Sequence, residues 1–135
     1  MTLSTPAPNT FKLWKDPASA LTHFVGFLAA IVGVFVLLSH SPGGTLKTAT
    51  FTIYGLSLAL LFLSSSTYHF FDLGERRNLW LRRLDHSAIF LLISGTYLPA
   101  VMHTLDGSWR LGMLIALAIL TSCGVLFKLT WFHCP

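Results

Sequence analysis

The sequence predicts an all-α integral membrane protein, a four-helix array that runs up and down across the bilayer. Of its 135 residues, 53% are hydrophobic and only 10% are charged, and the mean hydropathy is +0.67. A soluble domain carries about 25% charged residues because it must cover its surface with them. The few charges are also clustered, so that four long uncharged runs remain. Runs of about 17–25 apolar residues match a hydrocarbon core of about 30 Å.

The uncharged runs give the position of each helix. No Asp, Glu, Lys or Arg occurs in residues 17–46, 48–71, 86–105 or 111–127. We predict a tail at residues 1–17 and a transmembrane domain at 18–135, with helices at about 18–39, 49–71, 84–103 and 111–132. The connectors between these helices are short, which forces neighbouring helices to be antiparallel. The runs are too long and too uniformly apolar for the alternating strands of a membrane barrel.

Basic residues predict the orientation of the array. Seven lie on the N-terminal side of the membrane, namely Lys12, Lys15, Arg76, Arg77, Arg82, Arg83 and Lys128. Only Lys47 and Arg110 lie on the opposite side. Cytoplasmic loops carry the excess of Lys and Arg, so we expect a cytoplasmic N-terminus in a plasma or inner cell membrane.

The distribution of basic residues also limits which classes of molecule the protein can bind. The pI of about 9.4 could indicate a nucleic-acid partner, but the basic residues sit in short connectors with no surface to form a binding groove. We therefore expect membrane lipids as partners and no nucleic acid. The oligomeric state is not readable from the sequence. Cys123 and Cys134 form neither a disulfide framework nor a metal-binding pair motif.

Polar side chains within membrane helices are costly and require an explanation. Three groups of them fall near the N-terminal side of the membrane: His23 in the first helix, Ser65 and His69 in the second, and Asp85 in the third. Ser65 and His69 are four residues apart and therefore share a helix face. An imidazole, a carboxylate and a hydroxyl at one level could bind a metal ion or activate a water molecule.

A structural interpretation of each residue stays open at this point. Asp85 could cap the N-terminus of the third helix, where a carboxylate satisfies free amide groups. His69 could lie among the lipid headgroups. Ser65 could donate to a carbonyl of its own helix.

Three segments carry a recognisable pattern: Ser65-Ser66-Thr67-Tyr68-His69, then Arg83-Leu84-Asp85-His86-Ser87-Ala88-Ile89, then Ser94-Gly95-Thr96-Tyr97-Leu98-Pro99. Together they resemble hemolysin III proteins, which belong with the progestin and adipoQ receptors and, more distantly, the alkaline ceramidases. The stretch with Asp16, Ser19, His23 and Gly26 is similar to the start of the same pattern. The resemblance extends from residue 16 to residue 99.

This resemblance implies a seven-helix fold of which the chain carries the first four helices. It implies that His69 binds zinc together with two histidines of an H-x-x-x-H motif on the seventh helix. Asp85 would meet the metal through a water, with Ser65 beside it as the second catalytic residue, and His23 is a possible additional ligand. The chain contains no H-x-x-x-H. We therefore expect it to be a fragment that is inactive alone.

Two main function classes follow. The first is a zinc-dependent membrane hydrolase that cleaves a lipid amide or ester. The second is a membrane-perturbing or pore-forming protein, and a non-catalytic receptor is a third possibility. A pore-lining helix should be polar along its whole length, whereas here the polarity is concentrated at one end of the second helix. The pattern therefore favours a site over a channel.

The predicted orientation can be tested by cysteine labelling. In a background without Cys123 and Cys134, a cysteine at Asn78 should be protected from an impermeant reagent added outside the cell, because the Arg-rich segment faces the cytoplasm. A cysteine at Gly107 should be labelled under the same conditions. Labelling of position 78 from outside would reverse the assigned topology.

Overall fold

Four α-helices make up the computed structural model, which describes residues 14–41 and 43–130. They are α1 (Pro17–His40), α2 (Thr45–Phe70), α3 (Glu75–Thr104) and α4 (Gly107–Thr130). Each is long and apolar enough to cross a membrane. The prediction of an all-α array with four transmembrane helices is therefore confirmed.

Helix α1 begins at a well-defined capping site. Asp16 is the N-cap, and its carboxylate accepts a hydrogen bond from the backbone N–H of Ser19 at 3.2 Å. Pro17 occupies the first helical position, where a missing N–H costs nothing because that group has no partner inside the helix. The local sequence Asp-Pro-Ala-Ser therefore fixes where the first membrane span starts.

Helix α3 is longer at its N-terminus than the uncharged run predicts. It begins at Glu75 rather than near residue 84, so the Arg-rich segment expected as a connector forms its first turns. Arg and Leu are good helix formers, and Glu75 in the first turn complements the helix dipole. The connector shrinks to a tight turn in which Asn78 accepts from the Leu73 N–H at 2.9 Å and donates to Asp72 at 2.6 Å.

The helices form an open row. Within the described ranges, α1 contacts α2, α2 contacts α3 and α3 contacts α4, and no other pair of helices is in contact. Neighbours are antiparallel, since the end of α2 meets the start of α1 and the end of α3 meets the start of α2. The predicted up-down order is thus present, and no other helix of the described residues covers either face of the row.

Small residues mediate the contacts between helices. Those buried are mostly Ala, Ser, Thr and Gly, whereas the large side chains Phe35, Leu56 and Leu120 are well exposed to the surroundings. Membrane helices pack in this way because lipid is as apolar as Leu, so close backbone approach decides which faces meet. Gly95 is the tightest example in α3: a methyl group there would lie 3.0 Å from the Ser57 Cβ and 3.5 Å from the Tyr54 Cα.

Substitution at Gly95 should therefore weaken the α2–α3 contact. We expect Gly95→Val to lower the free energy of unfolding by about 1–3 kcal/mol through overpacking. Gly112→Val is the matched control, because a Cβ at Gly112 meets no atom within 4 Å. Unfolding in mixed micelles, followed by circular dichroism, compares the two variants, and equal losses of stability would contradict the assigned packing.

Candidate functional site

The start of α1 is fixed to the end of α2 by backbone hydrogen bonds. The N–H of Asp16 donates to the carbonyl of His69 at 2.9 Å, and the N–H of Lys15 donates to the carbonyl of Phe70 at 3.3 Å. Trp14 and Phe71 continue this pairing as an isolated antiparallel bridge. Residues that are more than 50 positions apart in the chain are thereby held side by side. The pairing places the Asp16 carboxylate next to the His69 ring.

Asp16 is held in place as an ionised group. Its carboxylate accepts from the Ser19 N–H and, at 2.6 Å, from the Ser19 hydroxyl. The hydrogen bond from the Ser19 hydroxyl, then that from the Ser19 N–H, lowers the pKa of Asp16 below its usual 3.8, and the charge of His69 contributes less. Oδ2 of Asp16 lies 3.7 Å from Nδ1 of His69, which makes this an electrostatic contact rather than a direct hydrogen bond.

His69 is surrounded by aromatic rings as well as by this carboxylate. The His23 ring stacks on it with centroids 5.7 Å apart and planes 7° from parallel. The Tyr68 ring meets it edge-on at 5.1 Å, and Phe62 lies 6.0 Å from the His23 ring. The His69 side chain keeps 28% of its surface exposed. The structure therefore brings together two of the residues singled out from the sequence, His23 and His69.

The described residues do not by themselves form a metal site. Among positions 14–41 and 43–130, no group of three or more His, Cys, Asp or Glu side chains is arranged to hold a metal ion. The rings of His23 and His69 are nearly parallel, with centroids 5.7 Å apart. This pair alone does not reach the three protein ligands of a catalytic zinc site.

Asp85 lies in the interior of α3, ten residues after Glu75. It is 9% exposed, and Ser65 on α2 is 6% exposed. The depth of Asp85 in the helix excludes a role as its N-cap, because capping acts only on the first turn. Burial of a carboxylate in a membrane helix is costly, so this position requires a partner or a function.

The contact between α2 and α3 shows which residues of α2 lie at the same depth along the helices as Asp85. Gly95 of α3 approaches Ser57 of α2. Because the helices are antiparallel, each step forward along α2 corresponds to a step back along α3, with a rise of about 1.5 Å per residue. Ser65 is eight residues past Ser57 and is level with position 87, so Asp85 and His69 both lie within about one turn of that level. No hydrogen bond or ion pair joins Asp85 to Ser65 or His69 in the described parts of the chain.

Two residues of this region, Asp16 and Ser87, belong to the segments that carry the family resemblance but are not among the predicted site residues. Asp16 falls within the predicted tail, although the order Asp-Pro-x-Ser is a capping signal. Ser87 follows Asp85 by two positions and is 6% exposed. Its buried hydroxyl makes no hydrogen bond to any other described residue. The signal that could have identified Ser87 is its place in the Asp85-His86-Ser87 segment.

Comparison with known proteins gives consistent matches. The sequence model of the family described as "Haemolysin-III related" matches residues 11–135. The chain is 32% identical over 121 residues to "Hemolysin-3 homolog" of Bacillus subtilis, a match that covers 88% of this chain and 56% of that protein. It is 36% identical over 117 residues to "Hemolysin-3" of Bacillus cereus, covering 85% and 53%.

A plant protein is a more distant match. "Heptahelical transmembrane protein 1" of Arabidopsis thaliana is 25% identical over 134 residues, covering 92% of this chain and 40% of that protein. The chain thus spans about half the length of the bacterial relatives. No solved structure matches it significantly.

The contacts of Asp16 predict an acid-dependent loss of stability. A carboxylate whose folded-state pKa is depressed stabilises the fold above its unfolded-state pKa and stops doing so as the pH falls through the folded-state value. Asp16→Asn should therefore lower the melting temperature by a constant amount between pH 5 and 7, and the difference from the unmodified chain should shrink below about pH 4. Thermal unfolding in detergent at a series of pH values measures this.

Ser19→Ala provides the control, since it keeps the carboxylate but removes a hydrogen-bond donor to it. In that variant the folded-state pKa of Asp16 is less depressed, so the acid-induced loss of stability should be smaller and should be complete at a higher pH than in the unmodified chain. A difference between the unmodified chain and Asp16→Asn that persists unchanged at pH 2.5 would show that the Asp16 charge does not stabilise the fold.

Proposed function

The chain is a multi-pass membrane protein that belongs to the haemolysin-III related family, and we propose that it forms part of a zinc-dependent membrane hydrolase. In this proposal the substrate is a lipid amide or ester that reaches the site from the bilayer. The N-terminal end of the array faces the cytoplasm. The active form is a protein of the length of the bacterial relatives.

The observation that carries the proposal is the position of His69 at the end of α2, between Asp16 and His23. Histidines that bind metal ions commonly have a carboxylate near the second ring nitrogen, which fixes the orientation of the ring. Asp16 lies on the Nδ1 side of His69 at 3.7 Å, so Nε2 is the nitrogen left for a ligand. Asp16 thus has two roles in this proposal, as the N-cap of α1 and as the carboxylate beside His69.

The described residues supply only part of a ligand set. A catalytic zinc site takes three protein ligands and a water, and positions 14–41 and 43–130 provide no such cluster. In this proposal the remaining ligands come from outside the described residues, in a protein of the length of the bacterial relatives. When bound, zinc supplies Lewis acidity and a lowered pKa for its water. In this scheme His69 binds, Asp16 orients His69, Asp85 orients a water molecule, and Ser65 supports the site.

A groove between α1 and α2 supports a lipid substrate. It has a volume of about 490 Å³ and runs from Gly26 and Phe62 to Leu37 and Tyr54. Its first residues lie one turn from His23, whose ring contacts Phe62. The groove walls are apolar apart from Tyr54, and the volume lies within the range of ligand pockets in proteins. An acyl chain in this groove would place its polar end near His23 and His69.

Membrane perturbation or pore formation is the second candidate, favoured by the names of the bacterial relatives. The hydroxyl groups in the middle of the helices argue against a water-filled path. Ser57 donates to the Tyr54 carbonyl at 2.7 Å and Ser64 donates to the Leu61 carbonyl at 3.0 Å. Thr96 donates to the Leu92 carbonyl at 2.8 Å. These hydroxyl groups use their donors within their own helices, as in packed membrane helices, and can offer only their lone pairs to water. A non-catalytic receptor role is a third alternative.

Metal content tests the proposed site. We expect the purified 135-residue chain to bind zinc at well below one ion per chain, because its described residues provide fewer than three ligands. A chain extended to the length of the bacterial relatives should bind about one zinc ion. His69→Ala should abolish this binding, and His103→Ala, at the other end of the array, should leave it unchanged. Mass spectrometry of the metal content measures each protein.

Two outcomes would contradict the proposal. Stoichiometric zinc in the short chain, lost on His69→Ala, would show that the ligand set is wrong. An extended protein that binds no zinc, hydrolyses no lipid amide or ester and releases a dye trapped in vesicles would favour the membrane-perturbing alternative.

A further inference from the structure

A second groove lies on the other face of the α1–α2 pair. This outer groove has a volume of about 570 Å³ and is lined by Trp14 and Phe71 at its mouth, Ala20 at its floor, and Phe24 and Leu63 at its inner end. It extends along the helices for about 10 Å, since seven residues separate Pro17 from Phe24. Trp14, Phe24 and Leu63 are all exposed, so the groove is open to the surroundings.

The outer groove is separate from the candidate site. On α1 its residues recur at positions 17, 20, 21 and 24, which share one side of the helix. Gly26 lies on the opposite side of α1 and lines the groove proposed above for the substrate, and His23 is not among the residues that line the outer groove. The same division holds on α2, where Leu63 and Phe70 line the outer groove and His69 does not.

The walls of the outer groove are mainly apolar. The two hydroxyl groups among its lining residues are already occupied: Ser66 donates to the Ala20 carbonyl at 2.9 Å, and Thr67 donates to the Leu63 carbonyl at 2.7 Å. Neither is a free donor for a polar ligand. A saturated hydrocarbon chain is the chemistry that fits such walls.

The charged residues near the mouth of the outer groove indicate which headgroup the bound hydrocarbon chain carries. Lys15 follows Trp14 directly, is exposed, and holds its ammonium group 3.7 Å above the Tyr68 ring. The neighbouring Asp16 carboxylate already accepts a hydrogen bond from the Ser19 hydroxyl and lies beside His69. Arg76 and Arg77 are exposed at the same end of the array. Asp72 and Glu75 lie at the same end, but the basic residues outnumber them, so this end of the array is complementary to an anionic lipid headgroup.

We propose that the outer groove binds one acyl chain of an anionic phospholipid, with its phosphate beside Lys15. The aromatic rings at the mouth support this position. Trp14 and Phe70 lie 5.0 Å apart, at the level where aromatic side chains meet the membrane interface. None of the lining residues is a proposed zinc ligand or catalytic residue, so the lipid contact can be measured without zinc or substrate.

Lipid retention tests this site. The chain is reconstituted in nanodiscs of equal parts phosphatidylglycerol and phosphatidylcholine, extracted in mild detergent and examined by native mass spectrometry. We expect one retained phosphatidylglycerol. Leu21→Trp should abolish it by filling the groove, whereas Leu28→Trp, two turns further along the same face of α1, should not. Leu21 is 63% exposed and Leu28 is 48% exposed, so neither substitution disturbs the packing, and circular dichroism verifies the helix content.

The headgroup contact has its own pair of variants. Lys15→Gln should reduce phosphatidylglycerol retention about fivefold, the effect of about 1 kcal/mol for one cation near the membrane surface. Lys47→Gln, which removes a lysine that lies over an aromatic ring at the other end of the array, should have no effect. Equal retention of both lipids would identify ordinary surrounding lipid, and equal retention by the Leu21 and Leu28 variants would place the bound lipid elsewhere. Either result overturns the proposal.

Discussion

The absence of hydrogen-bond partners in hydrocarbon is the constraint on which this structure depends. Backbone groups must be satisfied within a helix, and side-chain hydroxyls gain from a partner inside the protein, which the buried Ser87 hydroxyl lacks among the described residues. Thr52, Thr96 and Thr130 meet this requirement by donating to the carbonyl four residues back in their own helices. The middle of the array therefore keeps little free polarity. Ionisable side chains collect at the two ends, and the N-terminal end holds the denser group.

The packing of small residues converts this constraint into a defined site. The Ser66 hydroxyl donates to the Ala20 carbonyl at 2.9 Å across the α1–α2 contact, one turn from the Asp16–His69 pairing. Such a bond requires the two backbones to approach closely, which Ala20 permits because it is small. The same contact holds His23 over His69. The geometry of the cluster formed by Asp16, His23 and His69 therefore depends on how closely α1 and α2 approach each other.

The sequence predicts the four helices well because uncharged runs are a direct record of membrane spans. It does not predict the start of α3, because a search for uncharged runs ends at the first arginine, although the Arg-rich segment is helical. The difference matters for Asp85, since a helix that begins at residue 84 would make it a cap, whereas a helix from Glu75 places it in the interior. The pairing of Asp16 with His69 is harder to predict. It depends on the register between segments far apart in sequence, which periodicity within one helix does not specify.

The α1–α2 pair presents two faces of opposite character, and the same short segment joins them. Within residues 68–71, Tyr68 packs on His69, which belongs to the cluster with Asp16 and His23. Phe70 and Phe71 line the outer groove. Trp14 packs on Phe70 at 5.0 Å, while the adjacent Lys15 and Asp16 pair with the backbone of Phe70 and His69. A molecule that displaces Trp14 or Phe70 in the outer groove therefore acts on the segment that positions His69. The backbone pairing at the start of α1 is the element through which the lipid-facing side of the protein and its polar side are mechanically connected.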